Sequence, residues 1–465
     1  MRKILAGFLI ISLFLGIGFA KADYSEKFEG DYKIDESGNA NVTFITTWLA
    51  PEDLINQSKE YVRNVSVENA TKVMLSAELR SLKNSGINLE NATLELKNYD
   101  NDQPLKKIVR GVAVGFSKYY SYDDVWEFSI DALRLFELSN LQLGSLTETI
   151  EFENYYKIEL PQGVQVLEAP KSFTSEAGNS KISIETKVNG NIIEIHSYIK
   201  IAANESRENL QTIFSNITIP KITYKGIKGN EVFSEWKAIR TSRITVHDDY
   251  IELNNTEKYL SPADYLFYLR LQIMQLGVEN ATRMIKQNTI NQYAQQGIKV
   301  RDGSVKILGL ENTSNPLEID SYWALENYTK KNDTDIYEYP YNPTLGLKGM
   351  NFEGRLTDQV NQTARVEFIL PENGKFVEVP QEINKELNGN RVVLKVTQEG
   401  NKLVLESTVF LRYGTPREDF EKLMSDIPDQ VVVGYSLESK KAGVCGPGII
   451  LGFALLPLIG LRKRK

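Results

Sequence analysis

Reactive side chains are scarce in this 465-residue chain. Cys445 is the only cysteine, and His196 and His247 are the only histidines. One cysteine excludes an internal disulfide, so the body must be stabilised by packing. Two unrelated histidines exclude an HExxH zinc site, a paired Cys/His metal set and a Ser-His-Asp triad. His196 sits in Ile-Glu-Ile-His-Ser-Tyr, the pattern of a half-exposed strand. No GxxxxGK[ST] phosphate loop occurs, and Gly226-Ile227-Lys228-Gly229 reads as linker. An excess of cations is also missing. Setting aside the seven Lys and Arg at the two ends leaves 47 against 61 acids, a net charge of −14. Such a surface repels phosphate backbones, which argues against nucleic acid as a partner. Long apolar runs are absent except at the extremities.

The extremities are informative. Arg2 and Lys3 precede an apolar stretch from Ile4 to Phe19, and Ala20-Lys21-Ala22 offers the small-x-small pattern of secretory cleavage. The cut is expected after Ala22, with Ala20 as the second choice and an uncleaved anchor as the alternative. At the other end, Cys445-Gly446-Pro447 leads into an apolar run from Gly448 to Leu461 and then Arg462-Lys463-Arg464-Lys465. The run is slightly short of the roughly 20 residues that a helix needs to cross ~30 Å of hydrocarbon. Flanking residues and snorkelling Lys/Arg stems extend it, and the terminal cations mark a cytoplasmic side. A buried C-terminal helix is the alternative, disfavoured by those cations and by Pro447 and Pro457. Gly448 and Gly452 form a GxxxG, most simply a chance pairing in so short a tail.

This order of parts resembles the CGP-type C-terminal sorting tail of surface proteins from hyperthermophilic archaea. The resemblance implies that the tail is cut and exchanged for a lipid, with Cys445, Gly446 and Pro447 as the processing and lipidation site. An uncut transmembrane helix with an inert thiol is the other reading. Either way, the expected location is the extracellular face of the cell membrane, reached through the secretion and sorting machinery. The linker from Ser436 to Gly443 spans at most ~28 Å, too short for a stalk.

Asn-x-Ser/Thr sequons begin at Asn41, Asn56, Asn64, Asn69, Asn91, Asn204, Asn216, Asn254, Asn280, Asn312, Asn327, Asn332 and Asn361. That density exceeds the roughly four that chance would give this composition, and it predicts a glycosylated ectodomain. Asn and Thr also serve helix starts and turns, so any single sequon has a structural alternative.

The chain repeats itself at an offset of 210 or 211 residues. Val67-Glu68-Asn69-Ala70-Thr71 recurs from Val278 to Thr282, and Leu49-Ala50-Pro51-Glu52-Asp53 recurs as Leu260-Ser261-Pro262-Ala263-Asp264. Trp126-Glu127-Phe128 becomes Tyr337-Glu338-Tyr339, Leu160-Pro161 becomes Leu370-Pro371, and Asn191 and Arg207 face Asn401 and Arg417. The expected organisation is a signal peptide at 1–22, units at 23–225 and 236–435, linkers at 226–235 and 436–443, and a sorting tail at 444–465.

Each unit is expected to open on a strand, Gly38 to Trp48 in the first. A helix follows at Pro51 or Pro262, where Pro suits the first turn and Ser261 is a candidate N-cap. A second helix runs from Glu68 to Ser85 or Glu279 to Gln296, closed by Gly86 or Gly297. Strands come next, with a hairpin at Asn189-Gly190 matched by Glu399-Gly400, then a short helix and a last strand. The expected fold class is α+β. Two tandem homologous domains would each hold a mainly antiparallel β-sheet or sandwich, two helices near the start and a short helix near the end. The second half of each unit is similar to the β-rich domain found ahead of transglutaminase-like domains. The similarity brings no activity with it, because Cys445, the sole nucleophilic thiol, lies in the tail.

Acidic clusters at Asp100-Asn101-Asp102 and Asn332-Asp333-Thr334-Asp335 lack the Gly and distal Glu of a calcium loop and read as turns. Asp124 and Asp335 are equivalent positions. Trp48, Trp126, Trp236 and Trp323 suit core packing better than sugar stacking. No metal, cofactor or catalytic residue is expected. The expected function is a non-catalytic, membrane-anchored surface glycoprotein that binds an extracellular ligand or packs into an envelope. The alternatives are a capture module for peptide, sugar or cation, serving a transporter or exported enzyme, and then a carboxylate-based hydrolase.

Overall fold

The computed structural model describes residues 23–84, 86–133, 147–215, 217, 221–311, 315–331 and 336–437. The chain forms two compact units that part between Val232 and Phe233. The first unit runs β1 (Tyr24–Ile34), β2 (Ala40–Ala50), α1 (Glu52–Val65), α2 (Val67–Asn84), β3 (Asn88–Lys97), β4 (Lys106–Val114), β5 (Lys118–Tyr120), β6 (Val125–Ser129), β7 (Ile150–Glu159), β8 (Gln165–Glu168), β9 (Phe173–Ala177), β10 (Ser180–Asn189), β11 (Ile192–Ile201), α3 (Arg207–Phe214) and β12 (Lys221–Lys225). The second runs β13 (Glu235–Val246), β14 (Ile251–Ser261), α4 (Ala263–Leu276), α5 (Val278–Gln295), β15 (Lys299–Leu308), β16 (Leu317–Glu326), β17 (Lys330–Lys331), β18 (Tyr337–Tyr341), β19 (Gln359–Ile369), β20 (Gly374–Glu378), β21 (Ile383–Leu387), β22 (Asn390–Glu399), β23 (Lys402–Leu411), α6 (Arg417–Ser425) and β24 (Val431–Leu437).

Each unit is a β-rich α+β structure with one large and one small sheet. The large sheets have the orders β3-β4-β2-β1-β7-β11-β10-β9 and β15-β16-β14-β13-β19-β23-β22-β21, and the small ones β5-β6-β12-β8 and β17-β18-β24-β20. Strand by strand, the two orders are the same. Pairing is antiparallel except for β1 with β7 and β13 with β19, which run parallel. In the first unit the inward residues of the large sheet, such as Tyr32, Phe44 and Ile158, share a core with Trp126, Phe128 and Tyr224 of the small one. The second unit repeats this with Phe368 against Tyr339, their rings 4.7 Å apart and edge to face.

Two expectations need correction. Each unit opens on a hairpin, β1–β2 or β13–β14, and not on one strand. β1 is hard to see in the sequence because Glu26 and Gly30 occupy positions that a half-buried strand would fill with apolar residues. The joining turn is one residue shorter in the second unit, so the offset is 212 across β1 and 211 after it. Second, Ser261 does not cap α4. It ends β14 with its Oγ buried and without a hydrogen bond, and Pro262 itself holds the N-cap position, as Pro51 does for α1.

Other local expectations have clear structural counterparts. Gly86 and Gly297 follow α2 and α5 with φ of +88° and +75°. The next amides reach back five residues, Ile87 to the Leu82 carbonyl at 2.8 Å and Ile298 to that of Tyr293 at 2.9 Å. That left-handed turn favours glycine. The expected linkers are partly structured. The Ile227 carbonyl accepts the Trp126 indole N–H at 2.9 Å, Glu235 opens β13, and Ser436 and Leu437 belong to β24.

Candidate functional site

Ten of the thirteen sequon asparagines lie in described residues; Asn216, Asn312 and Asn332 do not. Asn41, Asn56, Asn64, Asn69, Asn91, Asn204, Asn254, Asn280 and Asn327 are exposed. Asn361 is half-buried in β19, and its amide donates to Glu235 at 3.2 Å. The repeated Val-Glu-Asn-Ala-Thr also has a structural role. Asn69 Nδ2 donates to the Val65 carbonyl at 3.1 Å, and Asn280 Nδ2 to that of Leu276 at 3.0 Å. Each thereby satisfies a carbonyl at the end of the preceding helix. Ala20, Ala22, Cys445, Gly446 and Pro447 lie outside the described residues. Among the described residues no helix is long and apolar enough to cross a membrane, and no group of three or more His, Cys, Asp or Glu is placed to hold a metal.

The other singled-out residues have packing or turn roles. His196 is half-exposed on β11, stacked 4.3 Å from Tyr155, with Glu153 3.4 Å away. His247 stacks on Tyr250 at 4.4 Å. Trp126 is buried parallel to Tyr224, and the equivalent Tyr337 and Tyr435 stack at 5.3 Å. Trp323 is buried against Tyr293, while Trp48 and Trp236 are partly buried. Asp124, at φ +56°, accepts the Tyr119 hydroxyl. In the Asp100-Asn101-Asp102 turn, the Asn101 carbonyl accepts Lys59 Nζ at 2.7 Å. The cluster from Asn332 to Asp335 is outside the described residues.

The feature that sequence reading missed lies between the sheets of the second unit. In the first unit, Phe28 of β1, Phe44 of β2 and Tyr156 of β7 meet there, with ring centroids 5.9 Å (Phe28–Phe44) and 5.5 Å (Phe28–Tyr156) apart. Strand register places Arg240 of β13, Asn255 of β14 and Val366 of β19 at the same three points. Three aromatic rings give way to a guanidinium, an amide and an isopropyl group. The space left is a cavity of about 90 Å³ whose walls include Arg240, Ser242, Asn255, Glu257, Tyr339 and Tyr341.

Its electrostatics are specific. Arg240 and Glu257 face each other across β13 and β14, with Nε 3.3 Å from Oε1. The pair is close enough to balance charge, but the buried Nε–H is not aligned for a hydrogen bond. Glu257 also accepts the Tyr259 hydroxyl, and burial with that nearby carboxylate raises the Tyr259 pKa. Tyr341 donates to Ser407 at 2.8 Å, and burial pushes its pKa up to about 12. Tyr339 is raised by burial too. These phenols are therefore neutral donors near pH 7. At the sequence offset of 211 only Phe44 becoming Asn255 could be read; Phe28 meets Arg240 at the offset of 212 that the strand register reveals.

No protein-family model matches the chain, and no curated protein matches it. Among solved structures, a proposed protease from Parabacteroides distasonis aligns over 90% of this chain and 99% of its own, at 9% identity and a TM-score of 0.22. A likeness that slight carries no argument about fold or activity.

Proposed function

We propose that this chain is a non-catalytic surface glycoprotein, held at the extracellular face of the membrane by its C-terminal tail, whose two units are copies of one ancestral domain. The observation that supports display to solvent is the exposure of nine of the ten described sequon asparagines. The shared strand order supports the duplication. The apolar ends support export and anchoring, with Cys445 as the lipidation site. In this reading the exported body binds an extracellular partner or packs into the envelope. The cavity specifically favours a second reading, in which the second unit captures a small ligand for a transporter or exported enzyme.

Fractionation tests the first reading: the chain should partition with membranes, and its intact mass should exceed that of the polypeptide. Cys445→Ser should alter both detergent partitioning and the C-terminal mass. A cytosolic chain of bare mass that keeps residues 1–22 would overturn the proposal.

A further inference from the structure

We propose that the cavity of the second unit binds a small amino- or hydroxy-carboxylate, with the ligand carboxylate on Arg240 and its amino or hydroxyl group on Glu257. This deepens the ligand-capture reading and is independent of the anchor and the glycans. Size sets the first limit: about 90 Å³ is the liquid volume of about three waters, so the ligand has only a handful of heavy atoms. Charge sets the second. A guanidinium offers five N–H donors in a planar fork, and Glu257 is the acidic partner of Arg240 among the described residues. Arg240 lines the cavity, and a carboxylate matches the planar geometry of its fork.

Glu257 offsets the charge of Arg240, and among the described residues no second cation lines the space. A dianion such as phosphate would therefore leave two uncompensated charges and a hydroxylated monoanion one, whereas a zwitterion leaves none. Glu257 accepts from Tyr259 and retains lone pairs for a ligand donor. The Asn255 amide supplies further donors and acceptors on the adjoining wall. The first unit is the internal control, because Phe28, Phe44 and Tyr156 fill the equivalent space.

The test uses the purified full-length chain in detergent, titrated calorimetrically with glycine, glycolate, acetate and the uncharged glycolamide. Glycine or glycolate should bind with a Kd of about 1 mM or tighter, and acetate at least about tenfold more weakly. Glycolamide should not bind. Arg240→Gln should abolish binding and Arg240→Lys should retain part of it. Asn255→Phe, which installs the residue of the first unit, should also abolish it while leaving the near-ultraviolet circular dichroism intact. If Asn255→Phe fails to fold, the Gln and Lys variants decide. The proposal is overturned if neither glycine nor glycolate saturates, if glycolamide binds equally well, or if binding survives Arg240→Gln.

Discussion

At the scale of single residues, each unit buries one cation from its first helix. Lys59 of α1 donates to the carbonyls of Asn101 and Gln103, both at 2.7 Å. Arg270, its equivalent in α4, donates to those of Gly309 at 2.8 Å and Asn315 at 2.5 Å. The side chain pins the loop between two neighbouring strands to the helix in both cases. Arg270→Met should strand two carbonyls and cost about 3 kcal/mol, read as a fall in urea midpoint. Arg270→Lys should recover much of that loss, since Lys performs the task in the first unit. A second residue-scale prediction concerns Glu367, buried among Arg365 at 2.8 Å, Lys402 at 3.1 Å and Arg243 at 3.2 Å. Hydrogen bonds from Arg365 and then Lys402 hold its carboxyl at about 2, far below the usual range. A carboxyl depressed in the folded state stabilises above its unfolded pKa, and that contribution is lost as pH falls through the folded value. Glu367→Gln should therefore be less stable than the parent at pH 7. The gap should close between about pH 4.5 and pH 2, as followed by denaturant midpoints across that window.

At the scale of elements, the turns explain why certain positions recur. Asn191, in the β10–β11 turn, donates through Nδ2 to the Leu160 carbonyl at 2.7 Å and accepts the Leu160 amide on its own carbonyl at 2.8 Å. Asn401 makes the same pair with Leu370, at 2.6 and 2.9 Å. Asn401→Ala should cost about 1 kcal/mol, measured as a denaturant midpoint. The segment joining the units is similarly constrained: a Cβ on Gly229 would lie 2.2 Å from Cζ2 of the Trp126 indole. Gly229→Ala should destabilise the first unit by about 1–3 kcal/mol and alter Trp fluorescence. The helices and the β10–β11 hairpin were legible in the sequence because each carries a local signal: Pro at the start of α1 and α4, Gly after α2 and α5, Asn-Gly at the β10–β11 turn. The register of β1 was not, because a strand flanked by partners on both sides is specified by tertiary pairing and not by its own alternation. The cavity was illegible for a related reason. Arg240, Asn255 and Val366 come from three strands and become neighbours only through the sheet.

At the scale of the whole molecule, each unit has its own core, and the chain divides between Val232 and Phe233. Calorimetry should resolve two transitions, with Asn191→Ala moving one and Asn401→Ala moving the other. A single transition shifted by both substitutions would show the units to be one cooperative block.

The parallel seam has a consequence for how the protein is made. β1 lies in the middle of its sheet, yet its partner β7 follows some 126 residues later, Tyr24 opposite Ile150. A ribosome delivers the N-terminal strand long before the strand that flanks it, so the hairpin must wait with one edge bare. Completion of the first unit is then gated by synthesis of its second half, and any pause between them prolongs the period in which neighbouring nascent chains can pair through that edge.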